Sequence, residues 1–189
     1  MRRYIAFLRA INVGGRNVSM RVLKAEFERL GFREVDTFIA SGNIIFKTRS
    51  GSTAALERRI EKALRTVLGY EVATFVRTDA EVTAIAEYQP FAPADMARAL
   101  AMNVGFVAAP ILPQARRALQ ALATDVDAFH VHDREVYWMC QRKQSESTFS
   151  NVVMERALTV RATFRGMNTI SRLAARLAAD PGARARGRA

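Results

Sequence analysis

Apolar positions recur along the chain with two different periods, and the points where one gives way to the other mark the elements. Residues 4–11 (YIAFLRAI) form a nearly continuous apolar run and read as the first strand. The loop that follows, INVGGRNVS, ends at Ser19. From there Met20, Leu23, Phe27 and Leu30 repeat at three and four, with Ser19 placed as an N-cap and Gly31 as a left-handed stop. Two short β-branched and aromatic runs, residues 35–40 and 43–48, flank Ser41 and Gly42 and predict a hairpin. Leu56, Ile60, Leu64 and Val67 mark a second helix, which ends at Gly69. Residues 71–77 read as a strand, and Asp79 is placed to cap a helix carrying Val82, Ile85 and Ala86.

The second half repeats that order. Residues 100–108 read as a strand, Pro113 suits the first turn of a helix holding Leu119 and Leu122, and residues 128–132 and 135–141 form a hairpin around Asp133 and Arg134. Ser150 caps a helix with Val153 and Ala157, residues 160–165 make a strand, and Ile170, Leu173, Ala174 and Leu177 define a last helix. Final strands compare directly, Phe75-Val76-Arg77 with Thr163-Phe164-Arg165. The predicted fold is therefore α+β: two tandem ferredoxin-like (β-α-β-β-α-β) subdomains, each followed by a helix. The expected boundaries are 1–88 for the first subdomain, 89–98 for a connecting segment, 99–180 for the second, and 181–189 for a disordered basic tail without a large apolar residue to dock it.

Composition changes this picture only at its margins. With 189 residues, half of them apolar, the chain buries a real core and is no disordered polyelectrolyte. Its net charge of +11 is spread evenly, +5 over residues 1–90 and +6 over 91–189, and all but four of the 29 basic residues are Arg. A solvated basic surface of this kind permits weak, non-specific binding of nucleic acid without indicating it. A single Cys excludes an internal disulfide and every zinc pattern built on paired cysteines. No apolar stretch has the length of a signal peptide or a membrane span, so a cytoplasmic location and no membrane partner are expected.

Three motifs stand out: FLRAINVGGRN (residues 7–17), TFIASGNIIF (37–46) and RATFRGMNTISRL (161–173). Together they resemble the bacterial family catalogued as domain of unknown function 1697, over nearly the whole chain. The resemblance implies an α+β chain built from two similar subdomains and brings no established activity with it. In the third motif the family pattern is Arg-Asn-Trp-Asn-Thr; Arg165, Asn168 and Thr169 match it, whereas Gly166 and Met167 do not.

For chemistry, Arg9 with Asn12, Gly14, Gly15, Arg16 and Asn17 is the strongest group. Glycines between a strand and a helix let backbone amides turn toward one point, and the helix N-terminus adds partial positive charge, which suits phosphate. The spacing matches no Walker loop and no dinucleotide fingerprint. The same residues also serve a tight connection whose Asn side chains bond their own backbone. Ser41 and Asn43 offer a hydroxyl and an amide in what reads first as a hairpin turn. His130 and His132 share one strand face, but two ligands make a poor metal set, and neither a metal nor a cofactor is expected. Phe129, Tyr137, Trp138 and Cys140 read as core. The functional expectation is a protein that binds a phosphate-bearing or other anionic ligand through the Gly-Gly loop with Arg9, Ser41, Asn43, Arg165 and Asn168. An enzyme for a small anionic substrate in a cleft between the subdomains, or a structural and interaction module, are the alternatives. No acid–base pair, nucleophile–base pair or catalytic residue can be named from the sequence.

Overall fold

In the computed structural model, which describes residues 1–11 and 18–179, the first run of elements is β1 (Arg2–Leu8), α1 (Met20–Arg29), β2 (Arg33–Phe38), β3 (Asn43–Thr48), α2 (Thr53–Leu68), β4 (Thr74–Thr78) and α3 (Asp79–Glu87). The short α4 (Pro93–Arg98) follows. The second run is β5 (Ala101–Phe106), α5 (Pro113–Gln120), β6 (Asp127–His132), β7 (Glu135–Cys140), α6 (Asn151–Leu158), β8 (Thr163–Gly166) and α7 (Met167–Ala179). Strand orders are β2-β3-β1-β4 and β6-β7-β5-β8, antiparallel throughout. These are two repeats of one ferredoxin-like β-α-β-β-α-β plan, each followed by a helix. The chain divides into two compact units, Met1–Ile85 with the stretch from Arg172, and Ala86–Ser171.

Local chemistry sets the helix ends. The Oγ atoms of Ser19, Ser52 and Ser150 accept from Val22, Ala55 and Val153 N–H, each supplying one of the partners that a first turn lacks. Before α3 the cap is Thr78 rather than Asp79. Glu81 N–H donates to Thr78 Oγ1 at 3.2 Å while Thr78 N–H donates to Glu81 Oε2 at 2.7 Å, a reciprocal capping box that leaves Asp79 inside the first turn. Residues 89–98, expected to be a plain connection, hold α4, which Pro93 starts at its first position. Strands are shorter than the apolar runs suggest. β1 stops at Leu8 and β4 starts only at Thr74, because that is where the ladder between them ends.

Helices cover one face of each sheet. In the first unit Tyr4, Phe27, Phe32 and Phe46 make a ring cluster, with Phe32 and Phe46 centroids 4.5 Å apart. In the second, Trp138 meets Phe149 at 5.0 Å and Phe164 at 5.6 Å, and its indole N–H donates to buried Asp127 at 2.7 Å. Each such ring contributes about 1.5–3 kcal/mol by burial.

Both units also close the exposed edge of the last strand with a carboxylate. Glu57 and Glu61 on α2 accept from Val76 and Thr74 N–H of β4, and Glu155 on α6 accepts from Ala162 N–H just before β8, at 2.8–2.9 Å. These are donors that an added strand would need, so the device protects the sheet edges from further pairing.

Candidate functional site

At the C-terminal end of β1 two of the sequence motifs meet within the first unit. Leu8 N–H donates to the Gly42 carbonyl at 2.8 Å, and Arg9 N–H donates to the Ala73 carbonyl at 2.9 Å, so the start of the Gly-Gly loop is held from both sides. Gly42 is required there twice over. Its φ is +73°, and a Cβ would lie 3.1 Å from Leu8 Cβ and 3.4 Å from Ile11 Cβ. Asn43 is buried, and its amide donates to the Phe38 carbonyl at 3.1 Å and to Ser41 Oγ at 2.8 Å, which ties the hairpin turn from inside and leaves Ser41 at the surface. Ala10 and Ile39, one in each motif, have φ of +55° and +51°. For a β-branched residue such as Ile39 this is a strained backbone, and strain of this kind gathers at functional loops. Asn12, Gly14, Gly15, Arg16 and Asn17 lie outside the described residues.

Arg165 and Asn168 belong to the second unit. Arg165 on β8 is buried, and its Nη1 donates to Thr163 Oγ1 at 2.9 Å and to the Phe164 carbonyl at 2.7 Å; burial lowers its pKa to about 10. Asn168 is exposed in the first turn of α7. The first unit places Arg77 at the matching point of β4, fully buried, with Nη1 donating to the Val76 carbonyl at 3.0 Å. Sequence reasoning singled out Arg165 and passed over Arg77, although the aligned triplets Phe75-Val76-Arg77 and Thr163-Phe164-Arg165 carried the signal.

His130 and His132 share one face of β6, and Tyr88 lies against both. Its hydroxyl is 2.8 Å from His130 Nε2, and its ring stacks on His132 at 4.5 Å and packs on Tyr137 at 5.1 Å. Burial lowers the His130 pKa, and the charges of His132 and Arg116 add to that. Tyr88 carries no sequence signal, because its role depends on the connection folding back onto β6. Among the described residues no three His, Cys, Asp or Glu side chains gather as a metal set. Cys140 is buried, which raises its thiol pKa, and it packs with Val136 and Trp138.

A charged cleft of about 490 Å³ lies in the first unit between β2, β3 and the end of α7. Arg3 pairs there with Asp79 at 3.3 Å and donates to the Leu177 carbonyl at 2.7 Å, Lys47 pairs with Glu34, and Arg176 with Asp36. Each cation has its own acid, so the cleft joins α7 to the sheet instead of presenting net charge.

A duplicated ferredoxin-like α+β protein, with the end of β1 tied to a hairpin turn in its first repeat, is the class that these features define. The chain belongs to the family described as "Protein of unknown function (DUF1697)", whose model matches residues 1–137. The third motif lies beyond that match. Among solved structures it is similar to the conserved bacterial protein SP0830 from Streptococcus pneumoniae, at 22% identity and a TM-score of 0.75 over 94% of this chain and 99% of that one, a likeness of fold. No curated protein matches. Among the described residues no helix is long and apolar enough to cross a membrane.

Proposed function

We propose that this protein binds a phosphate-bearing or other small anionic ligand at the end of the first unit's sheet, where the loop opened by Arg9 meets the Ser41-Gly42-Asn43 turn. The observation that carries this reading is the locking of the two motifs through Gly42, with strained backbone at Ala10 and Ile39 on either side. The hairpin turn of the second unit takes the same left-handed conformation at Asp133, a residue type that tolerates it, whereas here it falls on β-branched Ile39. The dipole at the start of α1 favours an anion, and Arg9 supplies charge. Titration calorimetry with inorganic phosphate, pyrophosphate and a nucleoside triphosphate tests it. Saturable binding to one of them, weakened about tenfold or more by Arg9→Ala, is the expected outcome. No saturable binding to any of the three, or binding indifferent to Arg9→Ala, would overturn the proposal.

One observation favours nucleic acid as a weak further partner. Because Glu57 and Glu61 turn inward to β4, the outer face of α2 is left with exposed Arg58 and Lys62 one turn apart, continued by Arg65, which pairs with Glu71 at 3.6 Å. Such a stripe supports binding that falls steeply with salt and is indifferent to sequence.

A further inference from the structure

The two units supply an internal control, because corresponding places in the repeat are filled differently. In the first unit α2 ends on Gly69 with φ +77°, and the next residue, Tyr70, packs against the core. In the second, α6 ends on Thr159 in the same left-handed conformation, φ +56°, and the next residue is Val160, which is 45% exposed. Beside Val160 lies a groove of about 540 Å³ between α5, α6 and the turn that leads into α5. Ala115, Ala118 and Ala157 line it, small side chains that leave the space empty, and Leu112 stands at its margin 72% exposed.

Three features bear on what fills it. The volume is that of small-molecule sites, about 300–1000 Å³. The lining is almost wholly apolar; Gln114 and Thr159 are its polar side chains, and the Thr159 hydroxyl already donates to the Leu158 carbonyl at 2.7 Å. No Arg lines the groove itself, but exposed Arg117 follows the lining residue Gln114 by one helical turn and exposed Arg156 precedes the lining residue Ala157, and neither makes an ion pair among the described residues. An apolar slot whose wall helices carry cations within one turn of its lining positions complements a molecule with an apolar body and an anionic end. A second copy of this chain is a poor occupant, since each copy brings a net charge of +11.

We infer that the second unit binds an amphipathic small anion, an acyl or aryl group ending in a carboxylate, sulfonate or phosphate, taken up from solution with its apolar body between α5 and α6. This site is separate from the loop and turn of the first unit and does not depend on them. Decanoate and its uncharged counterpart decanol are the probes, titrated into the full chain with calorimetry and methyl NMR as readouts. Decanoate is expected to saturate one site and shift the Leu112 and Val160 methyl signals, with decanol about tenfold weaker. Val160→Tyr, which transfers the aromatic of the first unit into the groove, is expected to weaken decanoate at least about tenfold while the circular dichroism stays unchanged. Arg117→Glu should weaken decanoate and leave decanol alone. Should Val160→Tyr fail to fold, Leu112→Asp replaces it with the same expectation. The inference is overturned by absence of saturation, by wild-type affinity in the folded groove variants, or by decanol binding as well as decanoate. Binding of an acidic amphipathic peptide in place of decanoate would also overturn it, in favour of a protein partner.

Discussion

In the first unit Tyr4 lies opposite Phe46 across β1 and β3, the rings 5.8 Å apart, and the Tyr4 hydroxyl reaches out to the Ser50 carbonyl at 2.7 Å. In the second unit the register places Asn103 opposite Trp138, and the buried Asn103 amide nitrogen has no partner among the described residues. The first core is apolar, a ring cluster packed among aliphatic side chains such as Leu23, Ile44 and Ile60. The second is anchored by polar contacts, with Asp127 accepting from the Trp138 indole and from Ser147 Oγ at 2.8 Å. Both retain one backbone plan, down to the left-handed residue after the second helix and the buried Arg on the last strand. Strand order and the ending of the second helix thus persist where side-chain filling does not, because the backbone ladder satisfies every sequence that keeps its apolar period, whereas a core has to be packed anew for each set of volumes.

The sharpest way to break this comparison is to remove the central ring of the first core. Phe46→Ala is expected to destabilise by about 3–5 kcal/mol in urea unfolding, through lost burial and the cavity left behind. In the second unit the corresponding weak point is polar. Asp127→Ala should cost about 1–3 kcal/mol by stranding the Trp138 N–H, and Trp138→Phe should recover part of that loss when combined with it, which a purely apolar core would not show.

A smaller effect tests the shared helix ending. Gly69→Thr places a β-branched residue at φ +77°, where nothing lies within 4 Å of a Cβ, so its cost of about 1–2 kcal/mol is backbone strain alone. Thr159→Gly makes the reverse exchange and is expected to gain up to about 1 kcal/mol, less what is lost with the hydroxyl bond to Leu158. Opposite signs in the two thermal melts would sharpen the comparison, and equal signs would break it.

The smallest effect is one of pH and belongs to the second unit. The lowered pKa of His130 means that the unfolded chain binds this proton more readily than the folded one. Stability should therefore fall as pH drops through the unfolded value of about 6.5. His130→Gln should flatten that part of the stability–pH curve, whereas a matching change with and without His130 would assign it to other groups.

How much of this was legible beforehand follows from the range of the contacts involved. Ser19, Ser150, Gly31 and Gly69 act within a few residues of their own positions, and each could be read directly. The repeated order of strands and helices was equally plain, because period and turn residues are local. The candidate site was legible in part: the loop and the hairpin were recognised as separate motifs, whereas their junction at Gly42 joins positions more than thirty residues apart. Likewise, Glu57 and Glu61 look like an ordinary charged flank of α2 until β4 is laid beside them.

By itself, then, the sequence determined the two ferredoxin-like repeats, their caps and their apolar faces, since these follow from periodicity and from backbone groups that must find partners nearby. Only the tertiary structure decided that Arg77 and Arg165 turn back onto their own strands, that Tyr88 covers the two histidines, and that Tyr70 packs on its core while Val160 stands exposed beside a groove. Those outcomes depend on which distant side chains share a volume, and no local pattern encodes that volume.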